Sequence, residues 1–469
     1  MTVEILPSDI EYIQVRQKDN VGEVFRYNGK LLRGVFPSAK GLVDSLFSTG
    51  LISKLTEEQL FPGTKISQTY RCSDYVYILE HDEIWPVTYP HEWTFSMLKR
   101  AAVVVLQVAE IARQYGFNMK DCHGLNVLFD RGSPKFIDFG SFYREQSSEF
   151  TWHPYREFLS AYYYPLYIWQ HGQEFTAKMS IFAGQLIPAK DHYLYRYSTL
   201  RSISENLLDK LIKLRFLPHD LTRKDDATID QALGNKALRS FAKLLQIFGC
   251  KKYGGGRDLK ILSKKLHRLK RPKTQTLWNT YHGDISKKAA RFDRIVDLIN
   301  DHCSSATSAI DIAGNQGKFS HRLLSETNLN RVVCQDLDEE ALDQGFITAS
   351  GKALAFANYN AMSPILKQGM PAPAERLKSD LVVCLALTHH LLLSQGYKVE
   401  KVLHELSKYT SEFICIEFMP KGLWTYGSPV AVPDWYSEKW FEEAFVERYQ
   451  LLVKEAIAEN YVVFVGRAK

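Results

Sequence analysis

Short apolar runs set between polar, glycine-bearing turns dominate the last third of the chain. Ser308-Ala-Ile-Asp-Ile312 packs three apolar residues around one acid, and Arg331-Val-Val-Cys-Gln-Asp336 ends on another. Asp380-Leu-Val-Val-Cys-Leu-Ala-Leu387 is apolar from its second residue onward, and Phe413 to Pro420 and Tyr461 to Val465 continue the series. Runs of this length read as buried strands, and each interval can hold one helix. Five or more strands at that spacing predict an α/β unit, a parallel-type sheet with helices on both faces.

The first half patterns differently. Val24 to Val35 reads as a hairpin turning at Asn28-Gly29. Gly41 to Leu60 reads as helical, Tyr75 to Glu80 as a strand, and Trp85-Pro86 and Tyr89-Pro90 mark a crossing segment. Thr94 is placed to cap a long apolar helix that Gly116 stops after Tyr115. Strands, a crossing and a helix predict a two-lobed α+β unit over 1–250: a small lobe to about residue 90, then a helical lobe over about 91–250. The aromatics of 150–170 include Tyr155, Phe158 and Tyr162 at helical spacing, as in a packed core helix. Residues 180–250 read as helical and carry no interpretable motif.

Charge changes the picture at one place. The 469 residues carry a formal net charge of +6, yet 251–290 alone holds twelve Lys or Arg against two Asp. The cation excess is therefore concentrated in a segment that opens on Gly254-Gly255-Gly256 and reads as a basic linker. It could meet the phosphates of an anionic membrane surface or of a lipid-linked saccharide, or stand as a solvated helix face. Nucleic acid is the weaker reading, since only Trp278 and Tyr281 offer stacking groups there. Composition, 45% hydrophobic and 24% charged, is globular, and the length asks for two or three domains. Seven scattered cysteines without a Cys-x-x-Cys pair argue for a reduced, cytoplasmic protein. No apolar signal core or membrane-length run appears, so the expectation is a soluble protein or one peripheral at the inner membrane.

The candidate chemistry sits on the strand ends. Asp311-x-x-Gly314-x-x-Gly317 joins a strand to a helix through a turn that a ligand can approach closely. The spacing is not Gly-x-Gly-x-x-Gly, which weakens a dinucleotide reading. It resembles the first motif of class I S-adenosylmethionine (SAM)-dependent methyltransferases. The resemblance implies that Asp311, Gly314, Asn315 and Gly317 hold the cofactor's amino-acid end, and that Asn360 lies in the segment facing its adenine. Asp336, about 20 residues past the glycine turn, fits the acid that binds a ribose. His389 and His390 follow an apolar strand and point at the crevice beyond the strand ends. A hydroxyl acceptor needs a general base; His389 is the first candidate and His390 the second. Glu417 could orient that base or bind acceptor hydroxyls.

A second cluster lies upstream. Asp121, Asn126 five residues on, and the Asp138-Phe139-Gly140 triplet provide an acid for an acceptor hydroxyl and two oxygen ligands for magnesium. The stretch resembles the aminoglycoside and choline kinase-like families. That implies Asp121 as the catalytic-loop acid, Asn126 and Asp138 as Mg²⁺ ligands, and ATP as cofactor if the unit is active. It lacks a glycine-rich phosphate loop and a Val-Ala-x-Lys strand; Lys30 and Lys40 are nominal substitutes.

Together, Tyr89-Pro-His-Glu-Trp93, Lys120-Asp121 with Asn126, Phe136-Ile-Asp138 with Ser141-Phe142, Asp311 to Ser320, and Leu385-Ala-Leu-Thr-His-His-Leu391 resemble a bacterial family of class I methyltransferases. Some of its members are host-specific nodulation proteins linked to decoration of secreted saccharides. The expected organisation is a kinase-like domain over 1–250, a basic linker over 251–290 and a Rossmann-like methyltransferase domain over 291–469. The resemblance implies an O-methyltransferase acting on a saccharide or other small hydroxyl acceptor. Two alternatives stay open: a bifunctional kinase-methyltransferase acting on a glycan, and a non-catalytic pseudokinase scaffold. The sequence leaves the oligomeric state unset.

Overall fold

The computed structural model describes residues 3–13, 19–146, 151–184, 186–196, 256–272, 285–349, 353–422 and 431–469. The helical reading of 197–250 falls outside them, as do 251–255 and 273–284 of the basic segment, with Trp278 and Tyr281.

The N-terminal part opens with a five-stranded antiparallel sheet. Its order is Glu11–Tyr12, Gly22–Tyr27, Lys30–Val35, Tyr77–His81, Thr64–Ile66. Asn28 and Gly29 take φ of 47° and 72°, the left-handed pair that a two-residue hairpin requires. The stretch read as one helix over 41–60 forms two, Lys40–Ser48 and Leu51–Glu57, because Gly50 turns the chain at φ 83°. The Thr94 side chain accepts from the Met97 amide and caps Phe95–Gln114. That helix leads to the hairpin of Val127–Asp130 with Ser133–Phe136. The aromatic run follows as Tyr155–Phe158, Leu159–Tyr163 and Tyr164–Gln170, burying Trp152, Phe158, Tyr162 and Trp169.

The C-terminal part is a seven-stranded sheet, numbered here within itself: β1 Ser308–Ile312, β2 Arg331–Asp336, β3 Leu354–Asn358, β4 Ser379–Cys384, β5 Thr410–Phe418, β6 Tyr449–Ala458 and β7 Tyr461–Ala468. The spatial order is β3-β2-β1-β4-β5-β7-β6. The first five strands are parallel, and β7 runs antiparallel to both neighbours. Helices Lys318–Glu326, Glu339–Thr348 and Val399–Ser407 cross between successive parallel strands. The sequence reading missed the short β3, and also β6, whose Leu-Leu-Val-Lys-Glu-Ala-Ile run shows little burial. Strand order reverses between β1 and β4, which opens a crevice beyond their carboxyl ends.

The described part of the basic segment, 256–272, is packed structure rather than a free linker. Leu259, Leu262 and Leu266 are buried where Gly256–Arg268 lies against Phe95–Gln114, and Lys99 Nζ donates to the Leu269 carbonyl at 2.7 Å. Lys260, Lys264, Lys265 and Arg268 occupy its exposed face. Leucines three and four apart put one apolar stripe on a helix otherwise full of cations. The two parts share one continuous hydrophobic core, with Phe129 edge-on to Phe346 across the junction. Among the described residues no helix is long and apolar enough to cross a membrane.

Candidate cofactor and acceptor site

A cavity of about 860 Å³ lies at the strand-order switch, lined by the ends of β1, β2 and β4 and by residues 360–362 beyond β3. Two lining residues are strained: Ala313 at φ 59° and Ala386 at φ 50°, just past β1 and β4. Alanine in the left-handed region costs about 1 kcal/mol, and such positions cluster where a site needs a set backbone shape. Asn315 and Gly317 add φ of 53° and 70°, so the turn between β1 and helix Lys318–Glu326 folds tightly over the crevice. A Cβ on Gly314 would come within 2.8 Å of Asp311 Oδ2 and of Cys334 Sγ, so only glycine fits.

The acids converge on this turn. Ser320 Oγ donates to Asp311 Oδ2 at 2.6 Å, and burial pushes the Asp311 carboxyl up to about 7, with a further push from Asp336. Asp336 accepts from the Asn315 amide and from the Asp338 amide, each at 2.7 Å. Burial raises its carboxyl to about 6, against the pull of those two donors. Asn360 lines the same cavity and accepts from the Met362 amide at 3.0 Å. All six residues expected to hold the cofactor therefore sit on this turn or these strand ends; Asp311, Gly314, Asn315, Asp336 and Asn360 line the cavity, while Gly317 caps the helix behind. A buried carboxylate next to a tight backbone turn, a second carboxylate one strand over and apolar Leu337 and Met362 suit a ligand with a cationic end, hydroxyls and a flat ring. The residues present fit SAM.

Asp311 also sets a pH dependence. A carboxyl raised from 3.8 to about 7 on folding favours the folded state fully below pH 3.8, and that advantage is lost as pH rises through 7. Asp311→Asn is therefore expected to raise the ligand-free protein's stability at pH 8 by roughly 1–2 kcal/mol, with no gain at pH 4. Thermal melts at the two values, read against wild type, check this.

The histidines are ordered differently from the expectation. His390 lines the cavity; His389 does not, its ring packed behind that of His390 with centroids 4.0 Å apart. His389 is buried with an unbonded Nδ1, and burial lowers its pKa to about 3. Burial also lowers His390, which keeps its imidazole neutral near pH 7. A wide π-helical turn over His390–Ser394 begins at His390, the ring that lines the cavity, with His389 just before it.

Glu417 is also corrected. It is fully buried, and Arg291 grips it with Nε and Nη2 at 2.7 and 2.8 Å. Its Oε2 accepts from the Ala386 amide at 2.8 Å, so Glu417 fixes the strained turn after β4; fully buried and outside the cavity wall, it does not reach an acceptor. Arg291, on helix Ile285–His302, was missed; its guanidinium also lies over the Tyr461 ring at 4.3 Å.

A second cavity of about 860 Å³ lies between the N-terminal sheet and the helices below it. Asn126 Nδ2 donates to Asp121 Oδ1 at 2.7 Å and to Asp138 Oδ2 at 3.4 Å, so the three expected residues meet there. Burial and the Asp121 charge raise Asp138 to about 6. Arg33, which the sequence reading passed over, supplies the cation facing this cluster; Asp19 pairs with it and closes over Gly140. A lone arginine inside the apolar run Leu-Leu-Arg-Gly-Val was the available signal. The nominal Lys40 instead pairs with Asp44 at 2.7 Å, and Lys30 lies over the Tyr70 ring.

No family model matches the chain. It is 25% identical over 454 residues to nodulation protein NoeA of Rhizobium meliloti (strain 1021), covering 91% of this chain and 89% of that protein. Among solved structures it is similar to N-methyltransferase NodS from Bradyrhizobium japonicum WM9 at 13% identity and a TM-score of 0.30, over 39% of this chain and 98% of that one. It is likewise similar to magnesium protoporphyrin IX methyltransferase from Synechocystis PCC 6803 with bound SAM, at 14% identity and a TM-score of 0.30, over 53% and 99%.

Proposed function

We propose that the chain is a SAM-dependent methyltransferase whose C-terminal sheet binds the cofactor at the β1–β4 switch and methylates a small hydroxyl acceptor, a saccharide being the favoured class. The observation that carries it is the convergence of Asp311, Asp336 and the strained 313–317 turn on one cavity that also receives His390. SAM supplies an electrophilic methyl group on a sulfonium. Of the residues lining the cavity, Asp311 would meet the cationic amino-acid end, Asp336 would accept from ribose hydroxyls, and Asn360 with Met362 would bound the ring. His390, neutral and within the cavity, takes the acceptor's proton; His389 backs its ring. The resemblance to nodulation-linked methyltransferases supports a saccharide acceptor.

A second reading concerns the N-terminal part. The meeting of Asp121, Asn126 and Asp138, with Arg33 opposite, supports a kinase-like unit whose cavity would take ATP with Mg²⁺ held by Asn126 and Asp138. Asp19 already pairs with Arg33, the cation that a phosphate would call on, which favours a pseudokinase over an active kinase. The exposed cations of Gly256–Arg268 support contact with an anionic membrane surface or a lipid-linked saccharide.

One calorimetric experiment tests both readings on the full chain. Titration with SAM is expected to give micromolar binding, and absence of binding would overturn the methyltransferase reading. Titration with ATP and magnesium, repeated on Asp138→Ala, is the second arm. Binding lost in the variant supports the kinase-like cavity, and no heat in either protein removes ATP and Mg²⁺ from the account.

A further inference from the structure

The cofactor cavity is not lined by the C-terminal sheet and its helices alone. Arg271, three residues past helix Gly256–Arg268, and Glu174, at the start of helix Glu174–Ala183, both stand in its wall beside Leu337–Glu340. Arg271 meets three acids of helix Glu339–Thr348: it pairs with Glu339 and Glu340, and its Nε lies 3.2 Å from Asp343. Two of those acids also hold the N-terminal part. Glu339 accepts from the Phe95 amide at 2.8 Å, and Asp343 accepts from the Ser96 amide and hydroxyl at 2.9 and 2.8 Å. Lys178 forms a second brace. It donates to Asn358 Oδ1, and Asn358 Nδ2 donates in turn to the carbonyls of Asp336 and Leu337 at 2.9 and 3.1 Å.

Both braces end on the same few residues. They fix the start of helix Glu339–Thr348 and the backbone that carries Asp336, where the nucleoside end of the cofactor is expected. Neither Arg271 nor Lys178 belongs to the α/β unit. Acids massed at this wall (Glu174, Asp336, Asp338, Glu339, Glu340 and Asp343) repel one another unless cations sit among them; Arg271 and Lys178 stand there, and Arg100 also faces Asp343.

We infer that Arg271 and Lys178 are positioning residues for the cofactor's nucleoside, so that the methyltransferase site is completed by segments outside the methyltransferase fold. This rests on the SAM reading above. The helix Glu174–Ala183 that carries Lys178 also borders the second cavity through Ser180 and Ile181, so one helix touches both sites.

The test is calorimetry on the full chain with S-adenosylhomocysteine and with 5′-methylthioadenosine, which lacks the amino-acid end. Arg271→Gln and Lys178→Met are each expected to weaken both ligands by about tenfold or more and by the same factor, with Arg271→Lys recovering part of the loss. Arg376→Gln is the control. It breaks a buried pair with Glu92 that also joins the two parts but does not line the cavity. The control variant should bind both ligands as wild type does. Unchanged affinity in both Arg271→Gln and Lys178→Met would overturn the inference. So would an equal loss in Arg376→Gln, which would mark general damage to the junction. Failure of wild type to bind either ligand would instead fell the SAM reading, and this inference with it. Lys178→Met leaves the Arg271 cluster intact, so the question stays answerable if Arg271→Gln does not fold.

Discussion

Asp336→Ala is expected to weaken S-adenosylhomocysteine binding about a hundredfold, a loss of about 3 kcal/mol. Two separate losses add. On the SAM reading the carboxylate would accept from ribose hydroxyls, and a hydrogen bond to a charged acceptor contributes roughly 1.5–3 kcal/mol. It also accepts from the amides of Asn315 and Asp338, so it pins the glycine turn to the end of β2. Without it, the Asn315 amide is freed in a turn already holding Ala313, Asn315 and Gly317 at positive φ. Asp336→Asn keeps one acceptor oxygen and should lose less. Titration of the three proteins decides; equal affinity for wild type and Asp336→Ala would remove Asp336 from the site.

Arg291→Ala is expected to be the most damaging single change to stability, costing about 3–5 kcal/mol. The reason is what remains: Glu417 is fully buried and would keep its charge with only the Ala386 amide to meet it. The melting temperature of the C-terminal part should fall by on the order of 10 °C. The loss should be smaller at pH 5 than at pH 8. Burial already raises the Glu417 carboxyl, with Arg291 the chief influence holding it down, so without Arg291 it takes up a proton more readily as pH falls. Arg291→Met with Glu417→Gln removes both charges and keeps an acceptor for Ala386, so it should recover much of the stability. A small, pH-independent effect of Arg291→Ala would show that the pair is not needed to hold the strained β4 turn.

Much of this architecture is local and was legible in the chain. The runs that became β1, β2, β4 and β5 are apolar because parallel strands are buried on both faces, and that leaves a plain signature. Asp311, Gly314 and Asp336 were placed beside the cavity from the chain because each lies at or just past a strand end, and Gly317 because it opens the helix that follows. The Asn28-Gly29 hairpin, the Thr94 cap and the spacing of Asp121, Asn126 and Asp138 are likewise short-range.

What the sequence did not determine was every choice that depends on a distant partner. Glu417 reads as a group that orients the base or binds acceptor hydroxyls until Arg291, 126 positions earlier, is seen to pair with both its oxygens. His389 and His390 are adjacent, the sequence put His389 first, and only the folded chain shows that His390 is the one lining the cavity. Lys178 carries no sequence signal, and Arg271 is one cation of the basic linker, until helix Glu339–Thr348 and Asn358 are brought against them. Local pattern sets which backbone is buried and where it turns; whether a charged group is free or already neutralised is a matter of three-dimensional proximity, which only the assembled core decides.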